Sequence, residues 1–144
     1  MRVLVQRCNK ASVSVDNKIV GKIENGMMIL VGFTHTDTSE NIDYMVDKVL
    51  NLRIYDDESG VMNKSIIDNG GSILSVSQFT LYGDAKKGRR PSYANALNGE
   101  KAVLLYEEFN NKLKKHIHVE TGIFGAEMKV ELINDGPVTI MLEK

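Results

Sequence analysis

Two short polar segments hold the groups in this sequence that are best suited to chemistry. They are Ser75-Val76-Ser77-Gln78-Phe79-Thr80-Leu81 and Asn134-Asp135-Gly136-Pro137-Val138-Thr139, and each lies where an apolar strand pattern gives way to polar and turn-forming residues. Between them they offer hydroxyls, amides and peptide N–H and C=O groups, but no His, Cys or Lys of the kind that makes a strong nucleophile. A site built from these segments would act by positioning and hydrogen bonding.

The first segment has two interpretations. In the simpler one, Ser77–Thr80 is an ordinary strand end whose hydroxyls satisfy nearby backbone groups. In the other, its peptide N–H groups point at an oxyanion, and Thr80 is the tempting nucleophile. Because the sequence places no candidate base near Thr80, we discount a nucleophilic role for that residue.

The second segment contains an X-Pro bond, which from the residues alone favours an ordinary trans turn. A cis Gly136-Pro137 bond would instead hold two carbonyl oxygens pointing the same way at a tip of the protein. Such a tip would be suited to recognising the amino group on the chiral carbon of a substrate without touching the substrate's side chain.

A run of four cations on a glycine-containing loop follows the first segment, at Lys86, Lys87, Arg89 and Arg90. Such runs are usually solvated surface, but here they would also be placed to hold the phosphates of a nucleic acid. Further cations near the end of a later helix would extend this patch or simply suit the helix dipole; they are Lys112, Lys114, Lys115 and His116.

Composition narrows the class of protein. With 144 residues, 42% of them apolar and 26% charged, the sequence predicts one globular domain spanning residues 1–144. The formal charge of -1 excludes a bulk attraction to nucleic acid or membranes, so any polyanion must meet a local patch. The lone Cys8 excludes an intrachain disulfide and indicates a reducing cytoplasm.

No cofactor, metal or membrane partner is predicted. His116 and His118 would share a face of an extended segment, so a metal pair is possible there but is not the expected interpretation. No stretch approaches the roughly 18 apolar residues of a membrane span, and the charged start of the chain is unlike a signal peptide.

Strand patterns dominate both ends of the chain. Alternation at Ala11–Val15, a turn, and the segments Lys18–Ile23 and Met27–Phe33 predict three antiparallel strands in a meander. Further strands are predicted at Leu52–Tyr55, Ser72–Val76, Ala126–Leu132 and Val138–Leu142, with Asn134–Pro137 as a turn between the last two.

Two helices complete the pattern. One begins at Thr38 or Ser39 and has Ile42, Met45, Val46 and Val49 on one face, and the other spans about Glu100–Lys115. The predicted fold class is α+β, as a single β-rich domain. Its curled antiparallel or mixed sheets form a barrel-like arrangement, with the two main helices packed on one face.

With these residues laid out, the chain resembles the D-aminoacyl-tRNA deacylase family from end to end. The likeness rests on the opening Met-Arg-Val-Leu-Val-Gln-Arg, on the Lys-Lys-Gly-Arg-Arg-Pro-Ser-Tyr loop and on Gly122–Met128. The two motifs that define the family are intact, as Ser75–Thr80 and Asn134–Thr139. Two intact motifs within family-like sequence are a far more specific signal than either motif alone.

The resemblance implies an enzyme that hydrolyses the ester joining a D-amino acid to the 3′ end of tRNA, and that also accepts mischarged glycyl-tRNA. It implies a homodimer in which a cis Gly136-Pro137 peptide of one subunit enters the site of the other. By this likeness Gly136 and Pro137 screen chirality with backbone atoms. Met128 is a further candidate for substrate binding because it lies near the glycine-proline turn, although methionines also commonly fill a core.

The resemblance also assigns roles within the ester-binding pocket. Phe79 acts through its peptide N–H, Ser77 and Gln78 organise the pocket, and Thr80 positions rather than attacks. The terminal ribose 2′-hydroxyl of the tRNA assists the reaction. The RNA contacts predicted for Lys86, Lys87, Arg89 and Arg90 follow from the charge and position of their loop, not from the resemblance.

Two other classes of function stay open on the residues alone. A non-catalytic RNA-binding module would explain the basic loop, and it predicts tRNA binding without ester cleavage. A hydrolase of small esters or amides would use Thr80 as its nucleophile, and it predicts a covalent adduct and no need for RNA.

Overall fold

A six-stranded mixed sheet forms the body of the structure, a computed structural model that describes every residue from Met1 to Lys144. The strands are β1 (Arg2–Val15), β2 (Lys18–Ile23), β3 (Gly26–Gly32), β4 (Tyr55–Asp56), β5 (Met62–Lys64), β6 (Ser72–Ser77), β7 (Val119–Thr121) and β8 (Lys129–Glu143). The helices are α1 (Ser39–Asn51), α2 (Ile66–Asn69), α3 (Gly99–Leu113) and a 3₁₀ helix, Phe79–Tyr82. The main sheet has the order β2-β1-β3-β6-β7, with β8 also paired to β1, while β4 and β5 form a separate pair.

β3 is buried on both faces of this sheet, which explains why its sequence is apolar almost throughout. Met27, Ile29 and Val31 belong to a core that includes the buried faces of α1 and α3. Met28 and the partly buried Leu30 pack into a second core on the opposite face, inside the curl of the sheet. One face of the sheet therefore packs against the helices, and the other face encloses the second core inside the curled sheet.

The curl brings β2 close to β7, so that the sheet is nearly closed. At Gly21 an added Cβ would lie only 2.7 Å from the Thr121 carbonyl oxygen, which shows how tightly the two strands approach. The predicted α+β, barrel-like fold class is confirmed. Both predicted helices are also present, and α1 buries the four apolar residues that define its predicted face.

The predicted three-stranded meander is wrong. β1 pairs with β3 through Arg2–Cys8 and with β2 through Ala11–Val15, both antiparallel. Since β8 pairs along the same length of β1, β2 and β3 share the other edge. A strand of 14 residues is long enough for two partners placed end to end, and local turn signals do not reveal this.

The predicted turn at Asn134–Pro137 is also wrong, because β8 is one continuous strand. Its register against β1 shifts between the pairs Gln6–Thr139 and Cys8–Asn134, so that Arg7 faces four residues of β8, 135–138. Asn, Asp, Gly and Pro favour turns, but the same residues also form a bulge in a strand whose partner continues beyond it.

Smaller corrections concern short elements. The strand predicted at Leu52–Tyr55 is confined to Tyr55–Asp56, and the strand predicted at Ala126–Leu132 begins only at Lys129. Several short elements lay outside the sequence pattern: β5, α2, β7 and the 3₁₀ helix. None of the helices is long and apolar enough to cross a membrane.

Candidate functional site

A cavity of about 600 Å³ lies where β3 and β6 end beside the first turn of α3. Its far wall is the loop that precedes β8. Most of its lining is apolar. The lining residues are Val31, Gly32, Phe33, Val76, Ser77, Gln78, Phe79, Tyr93, Ala96, Leu97, Gly99, Ala102, Phe124, Gly125, Ala126, Met128 and Val130.

The first polar segment forms one rim of this cavity. After Ser77 the chain leaves the sheet, and the Gln78 N–H donates to the Val31 carbonyl at 2.7 Å. The 3₁₀ helix then begins at Phe79, where the first N–H groups of a helix have no acceptor within that helix. The Leu81 N–H is already used, because it donates to the Gln78 carbonyl at 3.3 Å. The segment is therefore a fixed turn with main-chain donors at its start.

Thr80 differs from the other three predicted residues of this segment. Ser77, Gln78 and Phe79 line the cavity, but Thr80 does not, and it is exposed. Its hydroxyl oxygen accepts a hydrogen bond from the side-chain amide of Gln78. Since no His, Asp, Glu or Lys contacts this hydroxyl, the structure offers nothing to activate it.

The cavity contains almost no ionisable side chain. Tyr93 is the one titratable residue among its lining residues, which include no Asp, Glu, His, Cys, Lys or Arg. No group of three or more acidic, His or Cys side chains is placed to hold a metal ion anywhere in the chain. The chemistry that this lining supplies is shape, apolar contact and hydrogen bonding from the main chain and from Ser77 and Gln78.

The wall opposite the 3₁₀ helix is held by the carbonyl of Ser75. This oxygen accepts hydrogen bonds from the Tyr106 hydroxyl at 2.8 Å and from the Gly122 N–H at 3.1 Å. The Tyr106 ring in turn packs on Phe124, with 5.8 Å between centroids. Burial raises the pKa of Tyr106, so its hydroxyl stays a neutral donor.

The predicted RNA-binding loop begins next to the cavity mouth. Tyr93 lines the mouth and packs edge-on against Phe79 with 5.1 Å between ring centroids. Just before Tyr93, Asp84 and Ser92 exchange two backbone hydrogen bonds of 2.8 Å, which close the loop at its base. The four cations of the loop, Lys86, Lys87, Arg89 and Arg90, are exposed and form no ion pair.

Gly136 and Pro137 lie apart from the cavity of their own chain. Both are exposed at the bulge of β8, and the bond between them is cis. Arg7 supports the bulge from below, because its Nε lies 3.0 Å from an Asp135 carboxylate oxygen while it also donates to the Ile54 carbonyl at 2.7 Å. Within one chain, the predicted residues therefore form two separate groups: Ser77, Gln78, Phe79 and Met128 around the cavity, and the bulge outside it.

Several residues of this region were not assigned from the sequence. Phe124 stands inside the segment Gly122–Met128, whose resemblance to the family was noted without a role for that ring. The local sequence did not single out Gly32, Tyr93 or Arg7, because each of them acts through a contact with a residue that is distant along the chain.

Comparison with known proteins gives one family. A profile described as D-Tyr-tRNA(Tyr) deacylase matches residues 4–143. A D-aminoacyl-tRNA deacylase of Listeria monocytogenes serotype 4a (strain HCC23) is 58% identical over 144 residues, covering 99% of this chain and 95% of that protein. The chain belongs to the D-Tyr-tRNA(Tyr) deacylase family. The family resemblance predicted from the sequence is confirmed.

A further relative and two solved structures are also similar to this chain. A D-aminoacyl-tRNA deacylase of Brevibacillus brevis is 57% identical and covers 99% of both chains. The solved structure of the c-Myc DNA Unwinding Element Binding Protein is 41% identical with a TM-score of 0.95, covering 100% of this chain and 99% of that one. A probable eukaryotic D-amino acid tRNA deacylase shares the fold, with a TM-score of 0.84 at 20% identity and coverage of 98% and 97%.

Proposed function

We propose that this protein hydrolyses the ester bond of D-aminoacyl-tRNA and releases the D-amino acid and the tRNA. Membership of the deacylase family and the names of its relatives support this activity. The observation that carries the proposal is the cavity itself. It is lined by Ser77, Gln78 and Phe79 yet contains no acid, base or activated nucleophile, as suits catalysis by main-chain groups.

In the proposed reaction, water attacks the ester carbonyl and the Phe79 peptide N–H stabilises the oxyanion that forms. Collapse of this intermediate breaks the bond between the acyl carbon and the ribose 3′-oxygen, which leaves as a hydroxyl after taking up a proton that the water gives up. A preorganised donor of this kind typically contributes about 3–4 kcal/mol to the transition state. Ser77 and Gln78 organise the pocket. The Gln78 side-chain amide also donates a hydrogen bond to Thr80, which has a positioning role and is not the nucleophile. The terminal 2′-hydroxyl of the tRNA assists the attack, so that the RNA supplies a group that the protein lacks.

Chirality is screened in this proposal by Gly136 and Pro137 of a second copy of the chain. Their exposed position outside their own cavity supports this arrangement, because they are free to meet another surface. Backbone carbonyls can recognise the substrate amino group whatever the amino acid, and a close backbone wall leaves no room for an L side chain. Glycine has no side chain to exclude, so glycyl-tRNA is also accepted.

The unpaired edge of β8 supports a homodimer. One edge of this 15-residue strand pairs with β1 and the other has no partner strand, although long exposed edges are usually protected. Its exposed side chains include Ile133 and Met141, 49% and 47% accessible. In a twofold dimer the same strand of each copy meets the other. The bulge on β8 would then approach the cavity wall to which Val130 of the same strand belongs.

The basic loop is proposed to hold the acceptor end of the tRNA. Its base is fixed beside Tyr93 at the cavity mouth, and its cations are free of internal ion pairs. Phosphate contacts from such a loop position the RNA without reading its sequence. We place the reaction in the cytoplasm, where the buried thiol of Cys8 stays reduced.

One assay separates this proposal from its rivals. The purified protein is incubated with matched D- and L-aminoacyl-tRNA, and with a D-aminoacyl-tRNA that ends in 2′-deoxyadenosine, and ester loss is followed. We expect rapid cleavage of the D ester alone and slow cleavage of the deoxy form. Binding without cleavage would favour an RNA-binding module. A covalent adduct at Thr80 with full activity on the deoxy substrate would favour the side-chain nucleophile.

A further inference from the structure

Gly32 occupies a special place between β3 and the rim of the cavity. It is the last residue of β3, it is buried, and it lines the cavity. A Cβ added there would lie 2.9 Å from the Gln78 carbonyl oxygen, closer than real side chains approach. It would also lie 3.3 Å from the Cβ of Leu81 and 3.4 Å from the ring of Tyr82. The 3₁₀ helix therefore rests directly on the bare backbone of this residue.

The oxygen that meets Gly32 belongs to the same peptide unit as the Phe79 N–H. A trans peptide is planar and stiff, with its C=O and N–H pointing in opposite directions. A contact that moves or tilts the Gln78 oxygen must therefore turn the Phe79 N–H as well. The Leu81 N–H donates to this same Gln78 oxygen, while the Gln78 N–H of the preceding peptide donates to the Val31 carbonyl, so hydrogen bonds hold Gln78 at both its N–H and its C=O.

We propose that Gly32 is a positioning residue for the reaction, because the absence of its side chain sets the direction of the Phe79 N–H. This inference rests on the proposed function, which makes that N–H the oxyanion donor. Misplacement of a catalytic group by about 1 Å is enough to cost roughly a hundredfold in rate. The nearest neighbours of the added methyl group would be the Gln78 oxygen, the Leu81 Cβ and the Tyr82 ring, so its effect on the reaction would pass through the 3₁₀ helix.

The test is the variant Gly32→Ala, with Gly71→Ala as its matched control. Gly71 is also buried, and its added Cβ would lie 3.1 Å from the Gly26 Cα and from the Ile66 side chain. It stands just before β6, at the opposite end of that strand from the cavity. Both variants add one methyl group against backbone, so both should lower the thermal midpoint. Only the methyl group of Gly32→Ala would contact the peptide unit that carries the proposed donor, the Phe79 N–H.

For Gly32→Ala we expect kcat on D-aminoacyl-tRNA to fall by about tenfold to a hundredfold, with KM changed less than about threefold. For Gly71→Ala we expect kcat of the folded enzyme to stay within about twofold of wild type. Rates are normalised to folded protein, measured well below each variant's thermal midpoint. The amide resonance of Phe79 should shift in Gly32→Ala and stay in place in Gly71→Ala.

A double-variant cycle gives a readout that a purely structural role would not produce. Phe79→Pro removes the N–H donor, so adding Gly32→Ala to it should lower kcat by less than about twofold further. Full additivity of the two losses would overturn the proposal, as would a rise in KM alone or an unmoved Phe79 amide. A Gly32→Ala chain with no folded state would also overturn it, since residue 32 would then serve the fold.

These experiments distinguish a failure of the Gly32 inference from a failure of the proposed function. If wild-type protein fails to cleave D-aminoacyl-tRNA, the function is wrong, whatever the variants do. If wild type cleaves the D ester and Gly32→Ala keeps wild-type kcat with an unmoved Phe79 amide, only the positioning role of Gly32 is wrong. A shifted Phe79 amide with wild-type kcat would overturn the donor role of the Phe79 N–H and, with it, this inference.

Discussion

The rim segment Ser77–Thr80 continues from the end of β6, whereas residues 135–138 form a bulge inside β8. The rim leaves the sheet, turns into a 3₁₀ helix and packs on Gly32, so that it lines a concave cavity. The bulge stays between two halves of a strand that keeps its pairing with β1, and it projects into solvent. The first region borders a cavity within one chain, whereas the second exposes the main chain of Gly136 and Pro137 to solvent. We expect variants of the two regions to fail in different ways.

The largest effect is expected when the main-chain donor of the rim is removed. Phe79→Pro deletes the N–H at the first position of the 3₁₀ helix, where proline is tolerated. We expect kcat for D-aminoacyl-tRNA to fall by about a hundredfold to a thousandfold. Phe79→Ala keeps the N–H and removes the ring, and it should lose less than about tenfold in kcat. Equal losses in both variants would assign the effect to the ring.

The next effect concerns the bulge. Gly136 has φ +111°, and an added Cβ would lie 2.9 Å from the Val138 side chain and 3.1 Å from the Arg7 guanidinium. Gly136→Ala should therefore shift the local backbone and lower deacylation by about tenfold to a hundredfold.

Mixing the Gly136→Ala and Phe79→Pro chains tests whether the bulge of one chain serves the cavity of another. If the bulge serves the cavity of a second copy, mixed dimers contain one site with both native elements. Random exchange of subunits should then restore about a quarter of the wild-type sites. No recovery after verified subunit exchange would mean that each chain uses its own bulge, or that the bulge has no part in the site.

A smaller effect is expected at the basic loop. Removing two exposed cations by Arg89→Ala and Arg90→Ala should raise KM about tenfold at low salt, with little change in kcat. The dependence of log KM on log salt concentration should become shallower by about one unit for each cation removed. Lys18→Ala, which removes an exposed cation on β2, is the control and should change neither quantity. An unchanged salt slope in the double variant would remove the loop from the RNA interface.

The smallest effect is expected at Thr80. Its hydroxyl is exposed, lies outside the cavity lining and contacts no base. Thr80→Ala should keep kcat within about threefold of wild type, because only the hydrogen bond from the Gln78 amide is lost. Loss of all activity in this variant would restore the nucleophile hypothesis and remove the rim's main-chain donor from its proposed role.

The sequence was most informative where local patterns decide the structure. Periodicity predicted α1 because its buried residues lie on one helical face, and the continuous apolar run predicted β3 because both faces of that strand are covered. The rim residues Ser77, Gln78 and Phe79 were placed correctly at a strand end. Local polarity is enough to mark such an end.

Long-range pairing explains what the sequence did not reveal. Asn134–Pro137 forms a bulge rather than a turn because β1, more than a hundred residues earlier in the chain, continues alongside it. The contact between Gly32 and Gln78, and the support of the bulge by Arg7, likewise join residues that are distant along the chain. The local sequence indicates which secondary structure each segment favours, but it does not indicate which distant segment will pack or pair with it.

The near absence of ionisable side chains from the cavity has a consequence for how the rate responds to acidity. The lining includes no Asp, Glu, His, Cys, Lys or Arg. The α-amino group of an aminoacyl ester, by contrast, titrates near neutrality, with an ordinary pKa of about 8 for this kind of group. The dependence of the rate on pH should therefore follow the protonation of the α-amino group of the substrate. The cavity itself should contribute little to that dependence.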